Sequence, residues 1–98
     1  MSLPVIIRSP AEADIRETRE NYEAIRAGLG EKFVARVREI LERIEFMPEM
    51  SGVIWQDVRA VRVKRFRHVL YYVVLDDHVE VLAVMHGARD ASAWQSRV

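Results

Sequence analysis

Arg59, Arg62, Lys64, Arg65 and Arg67 stand within nine residues with no acid between them. Guanidinium and ammonium groups at that density either engage an anionic surface or form the solvated face of a strand. His68 follows at once, and His86-Gly87-Ala88-Arg89-Asp90 closes the same region, so two imidazoles and a further guanidinium flank the run. Imidazole titrates near neutral pH, which makes each histidine a candidate proton carrier as well as a structural hydrogen-bonding group. Metal chemistry finds little support. The chain has no cysteine, hence no disulfide framework or thiolate metal site, and its three histidines form no H-x-x-x-H pair, which argues against zinc. No metal or cofactor is expected.

Net charge is zero over the 98 residues. The whole-molecule field therefore attracts nucleic acid weakly, and direct nucleic-acid binding is expected to be weak or absent. At this length the chain is expected to form one domain, residues 1–98, that buries about two-thirds of its unfolded surface. Half of the residues are hydrophobic and 31% are charged, the balance of a soluble globular protein. The longest apolar run, Val69 to Leu75, falls far short of a membrane span, and the N-terminus has neither the basic nor the apolar region of a secretory signal. The expected location is the cytoplasm, with no membrane partner.

The cations need a backbone to hold them. From Val58 to Lys64 the chain sets Val61 and Val63 against Arg62 and Lys64, so one strand face is apolar and the other cationic. His68 to Leu75 is apolar on both faces, as a covered central strand requires, and Asp76-Asp77 turns the chain into a third strand, His78 to His86. Short turns make these an antiparallel meander. Tyr71 and Tyr72 point to opposite faces of it, so at least one belongs to the core. Upstream, Pro4 to Arg8 reads as a short strand, and Ser9-Pro10-Ala11-Glu12 as a capping box with Ser9 at the N-cap. Ile15, Thr18, Tyr22 and Ile25 then recur on one face of a helix ending near Gly28. After Gly28 and Gly30, the residues Phe33, Val34, Val37, Ile40, Leu41, Ile44 and Met47 form the stripe of a second helix, which Pro48 stops. The expected fold is α+β, in the order β-α-α-β-β-β, with a helical hairpin packed on a curled antiparallel sheet. Periodicity leaves open whether the first strand pairs at an edge of the meander or beside the last strand. Trp55 and Trp94 fall outside the periodic elements, as packing clamps or interface anchors.

Four segments taken in order carry a further signal: Val5 to Ile15, with its strand and capping turn; the Pro48 to Gly52 loop; Val61-Arg62 leading into Phe66-Arg67-His68-Val69-Leu70-Tyr71-Tyr72; and Val84-Met85-His86-Gly87-Ala88-Arg89-Asp90. In that order and spacing they resemble the ParE/RelE superfamily of toxins from bacterial toxin–antitoxin (plasmid stabilisation) modules. The resemblance covers about residues 5–90 and implies the fold just described.

Two activities are implied by that resemblance. RelE-like toxins are ribosome-dependent endonucleases that cut messenger RNA, whereas ParE-like toxins poison DNA gyrase and lack the nuclease residues. Metal-free RNA cleavage requires a base for the 2′-hydroxyl, cations for the charged phosphorane and an acid for the leaving oxygen. The residues available for it are Arg62, Lys64, His68, His86 and Arg89. By resemblance, Arg62 and Lys64 match a basic pair of the nucleases, His68 stands where they place an arginine, and Arg89 matches their later arginine. The tyrosine that often follows has no counterpart in Ala91-Ser92-Ala93-Trp94. The Phe66, His68, Tyr71 and Tyr72 strand and the His86 to Asp90 tail are closer to ParE. The implied function is the toxin component of a type II toxin–antitoxin system that inhibits DNA gyrase and is neutralised by a cognate ParD-like antitoxin in a hetero-oligomer. A RelE-like mRNA endonuclease and an inactive antitoxin-binding module are the alternatives. Arg59, Arg62, Lys64, Arg65 and Arg67 are the expected target- or antitoxin-facing cations, with Arg89 and Trp94 in a second contact region. His68 also has a purely structural reading, as a core hydrogen-bonding group, and His86, Arg89 and Asp90 have one as a hydrogen-bonded, ion-paired end to the sheet.

Overall fold

The chain folds into strands and helices in the computed structural model, which describes residues 2–98 and leaves Met1 outside the described residues. In chain order they are β1 (Val5–Ile7), α1 (Ser9–Ile25), α2 (Leu29–Phe46), β2 (Val53–Trp55), β3 (Val58–Arg62), β4 (His68–Val74), β5 (Val79–His86) and α3 (Ser92–Gln95). The strands make one sheet in the order β1-β5-β4-β3-β2. β3, β4 and β5 form the expected antiparallel meander. β1 joins beside β5 and runs parallel to it, with Val5 opposite Val79 and Ile7 opposite Val81, so the sheet is mixed rather than wholly antiparallel. The helical hairpin and the meander supply the long crossover that parallel pairing needs. No helix among the described residues is long and apolar enough to cross a membrane.

β2 is an addition to the expected order. It pairs with β3 across Gln56-Asp57, where Trp55 faces Val58 and Gln56 adopts φ 50°. Hairpin turns of that length usually announce themselves through glycine or asparagine at the left-handed position, and here a glutamine takes it.

One face of the sheet is covered by the hairpin. Phe33, Val37, Ile40 and Ile44 of α2, with Ala11 of α1, pack against Leu70, Tyr72, Val79, Val81 and Val84. The stripes are shorter than the periodicity predicts: Ile25 is 73% exposed at the end of α1, and Met47 lies past the end of α2. The start of α1 also differs. Arg8 is the N-cap, no side chain caps the helix, and Ser9 is already helical. Arg8 is held in extended conformation because its guanidinium spans Glu80 (2.6 Å) and the carbonyl of Arg97 (2.7 Å), so the helix begins one residue sooner. The second helix is capped from α1 instead, since Glu23 accepts from the amides of Gly28 (3.1 Å) and Gly30 (2.8 Å). Gly30 sits where the helices touch, and a Cβ there would lie 2.5 Å from the Arg19 carbonyl oxygen.

On the opposite face, Trp94 of α3 closes a second cluster formed by Val58, Tyr71, Val73, Leu82, Ala83 and Met85. Its indole stacks on Tyr71 at 4.5 Å and meets Trp55 edge-on at 5.8 Å. Both tyrosines are therefore core residues, one on each face. Tyr72 reaches through the hairpin side to donate to the Pro48 carbonyl at 2.8 Å, which ties down the loop after α2.

Alternation along the strands feeds both cores, and β5 shifts the phase of its alternation partway along. Tyr71 pairs with Ala83 and Tyr72 with Val81, so Leu82 is an extra residue without its own partner on β4. Val79 and Val81 point to the hairpin, Ala83 and Met85 to the other side, and Val84 to the hairpin again. Such a bulge interrupts the ladder and leaves backbone groups to be satisfied elsewhere. β1 pairs only as far as Val81. Beyond it, the amide of Val84 donates to Asp14 Oδ2 (3.0 Å), and the carbonyl of Leu82 accepts from Arg97 (3.1 Å). Asp14 and Arg97 also bond each other at 2.6 Å, with little solvent contact.

Around the other end of β4, an aromatic cluster joins sheet to hairpin. Tyr22 and Phe33 pack on Phe66 at 5.0 and 5.3 Å, and the His68 ring lies 5.7 Å from Tyr22 and 5.3 Å from Phe33. His68 Nδ1 and the Tyr22 hydroxyl form a hydrogen bond at 3.3 Å. Burial, and secondarily the neighbouring His86, hold His68 below the ordinary imidazole pKa.

Two expectations follow from these contacts. Asp14→Ala strips a partner from both Val84 and Arg97, and should cost about 2–4 kcal/mol in urea unfolding. A cycle with Arg97→Ala should return a coupling of about 1–3 kcal/mol, and a coupling near zero would remove the bulge from this account. For His68, the unfolded chain takes up a proton near pH 6.5 while the folded chain still refuses it, so stability falls as pH drops from about 7 and levels off below the lowered folded pKa. His68→Phe should flatten that fall, as followed by unfolding free energy at successive pH values.

Candidate functional site

The cations ride on the end of β3 and the turn into β4, and buried residues between them fix that turn. Val63 donates to the His68 carbonyl (2.9 Å) and Phe66 to the Val63 carbonyl (3.0 Å), while both side chains are buried in the hairpin core. With those two anchored three residues apart, Lys64, Arg65 and Arg67 are left on the outside, and all three are exposed. Arg65 adopts φ 70°, a left-handed backbone that costs a residue with a Cβ about 1–2 kcal/mol. The ladder stops at Arg62, yet the alternation expected through Lys64 persists, with Val61 and Val63 inward and Arg62 and Lys64 outward.

This geometry divides the basic run. Arg62 and Arg67 meet His86 and the Gly87-Ala88 backbone around a hollow of about 340 Å³. Gly87 closes its wall by donating to the Arg67 carbonyl at 2.7 Å. His86 Nδ1 accepts from the Ala88 amide at 3.0 Å, so the neutral ring carries its proton on Nε2. Arg65 belongs to a different groove, of about 490 Å³, where it joins Arg26, Lys32 and the Arg36–Glu39 pair of the hairpin over Leu29 and Phe66. Lys64 and Arg89 line neither. Arg59 is half-buried and donates to the Ser51 carbonyl, which commits it to the loop after α2.

The histidines also separate. His68 and His86 are cross-strand partners with rings 5.6 Å apart, but His68 turns into the aromatic cluster while His86 stays exposed. Arg89 makes no ion pair with Asp90 among the described residues; Asp90 accepts instead from the Ser92 amide at 2.9 Å at the start of α3, and that bond holds its carboxyl below the usual range. Asp90 thus fixes the turn into α3 rather than pairing with Arg89. Trp94 is buried, and packing is its visible role. Sequence reasoning missed Arg26, Lys32 and Arg36. They sit on the polar faces of the hairpin, and only the packing of Phe66 brings Arg65 beside them.

Two guanidiniums and one imidazole around the first hollow suit an anion, and among the described residues no carboxylate lines it. Of the five residues suggested for RNA cleavage, the hollow brings together Arg62 and His86, with Arg67 added. Among the described residues, no three of His, Asp and Glu come close enough to hold a metal ion.

Comparison with known proteins agrees with this fold. The model of the family described as "ParE toxin of type II toxin-antitoxin system, parDE" matches residues 5–91. No curated protein matches the chain. Among solved structures, a chain of the "Chromosomal ParDE TA system from P. aeruginosa" superposes with TM-score 0.66 at 16% identity, covering 87% of this chain and 96% of that one. A chain of the YoeB dimer from Staphylococcus aureus superposes with TM-score 0.62 at 19% identity, covering 85% and 94%. At these identities the two structures speak for the fold, and the match over residues 5–91 settles the family: the chain belongs to the ParE toxins of type II toxin–antitoxin systems.

Proposed function

We propose that this toxin, as one domain over residues 1–98, inhibits DNA gyrase in the cytoplasm and is neutralised by a cognate ParD-like antitoxin in a hetero-oligomer. The observation that carries the reading is the division of the candidate chemistry. His68, the histidine closest to the basic run, is held neutral inside the aromatic cluster, while the cations beside it stand exposed on a fixed turn. Exposed cations on a fixed backbone suit recognition of another macromolecule, and a gyrase poison needs such a surface without an acid–base set of its own. Arg62, Arg65 and Arg67 are the target-facing residues, with Lys64 beside them and Arg89 as a second contact. Arg59 and Trp94 support this surface from behind rather than touching the target. The antitoxin folds a helical segment over the seam between hairpin and sheet.

The hollow formed by Arg62, Arg67 and His86 favours a second reading, in which an RNA phosphate sits there and His86 moves the proton. The two readings part at His86. Under gyrase inhibition, His86→Gln should change the inhibition of DNA supercoiling by less than about twofold, while the triple variant Arg62→Ala, Arg65→Ala, Arg67→Ala should weaken it by about tenfold or more. Supercoiling by purified gyrase, titrated with the folded variants, measures both. Intact supercoiling with wild-type toxin, together with ribosome-bound message cut by wild type but not by His86→Gln, would establish the nuclease instead.

A further inference from the structure

We propose that the C-terminal end of α2 carries a second docking surface, which takes a segment of a partner polypeptide with apolar anchors and basic flanks. Phe46, in the last turn of α2, is 75% exposed, and Met47 just beyond it is 64% exposed. Neither is needed to finish the core, whose α2 contribution ends at Ile44. The two side chains separate a pair of adjoining hollows of about 510 and 610 Å³, completed by Met50 on one side and by Leu3 and Leu75 on the other. A contiguous exposed apolar patch of this kind marks an interaction site more often than a structural accident.

The surface is already built. Met47 donates to the Arg43 carbonyl at 2.8 Å and Met50 to the Met47 carbonyl at 3.0 Å, so the backbone after the helix is a fixed turn. Below it, the buried Tyr72 hydroxyl holds the Pro48 carbonyl at 2.8 Å. An occupant therefore meets ordered side-chain positions and bears less of the ordering cost.

The charges around the patch choose the occupant. Glu39, Glu42, Glu49 and Asp76 line the two hollows, with Arg43 as their one basic residue among the described residues, and Glu39 shares Arg36 at 3.3 Å. Nucleic acid and anionic lipid would both bring phosphates against these carboxylates. A second copy docked about a two-fold axis would set the same acids against one another. A polypeptide segment with leucine-like anchors and flanking lysines or arginines satisfies both the apolar floor and the acidic rim. The surface shares no residue with the Arg62, Arg67 and His86 hollow, so the two can be occupied together.

Fluorescence anisotropy of two labelled synthetic amphipathic peptides of equal length, one Leu/Lys and one Leu/Glu, tests this with the full chain. The Leu/Lys peptide should bind about tenfold or more tightly than the Leu/Glu peptide. The double variant Phe46→Ser, Met47→Ser should weaken that binding about tenfold, and Glu42→Lys, Glu49→Lys should do so while leaving the apolar residues in place. Both changes lie on exposed side chains, and circular dichroism checks that the variants keep their fold. Equal binding of the two peptides, binding of neither, or binding that survives Phe46→Ser, Met47→Ser would overturn the proposal. So would sedimentation showing that the wild-type chain alone self-associates and that this double variant does not.

Discussion

The contact between Asp14 and Arg97 governs more of this molecule than its size suggests. In a five-stranded sheet with cores on both faces each strand serves both by alternation, and β5 shifts the phase of that alternation by carrying Leu82 as an unpaired residue. That device exposes a backbone amide and a carbonyl just where β1 has ended. An acid from the first helix and an arginine from the C-terminal segment satisfy them and each other, which fixes α1 against β5 and brings α3 across the far face. Groups so linked at low solvent exposure act as a unit, since removing one orphans the others. The bulge also sets the outward phase of the last residues of β5. His86 is thereby placed opposite His68, at the edge of the cationic turn.

From that frame follows a separation of charge. Net charge is zero, but the acids and bases are sorted. Exposed cations gather where β3 turns into β4 and beside the turn between α1 and α2, where Arg36 pairs with Glu39, while carboxylates gather around the exposed end of α2. A protein arranged in this way can hold two partners of opposite character, one anionic and one basic.

Much of this was legible in the residues. The helical stripes of Phe33 to Ile44, the two-faced apolar run of β4 and the inward Val61 and Val63 before the basic turn all follow from periodicity, because burial imposes it. The parts that were not legible rest on an unusual turn residue or on contacts between distant positions. β2 was hidden because its turn uses Gln56 rather than glycine. The parallel pairing of β1 depends on which edge the hairpin leaves open. Ser9 looked like a cap, but Arg8 took the role through Glu80 and the Arg97 carbonyl, both more than seventy residues away. The candidate site divided for the same reason. Five neighbouring cations read as one patch, whereas the turn sends Arg65 to the hairpin, Arg62 and Arg67 to His86, and Arg59 to the Ser51 carbonyl.

The central claim is that this chain acts by holding another macromolecule rather than by cutting RNA. It is tested most directly by inducing the chain in cells without antitoxin and pulse-labelling DNA and protein synthesis over the first minutes. The account predicts that DNA synthesis stops first, accompanied by a DNA-damage response, while protein synthesis continues. Early loss of protein synthesis with cut messages would contradict it in favour of the nuclease, and normal growth with soluble, folded protein would contradict any toxic action and leave an antitoxin-binding module.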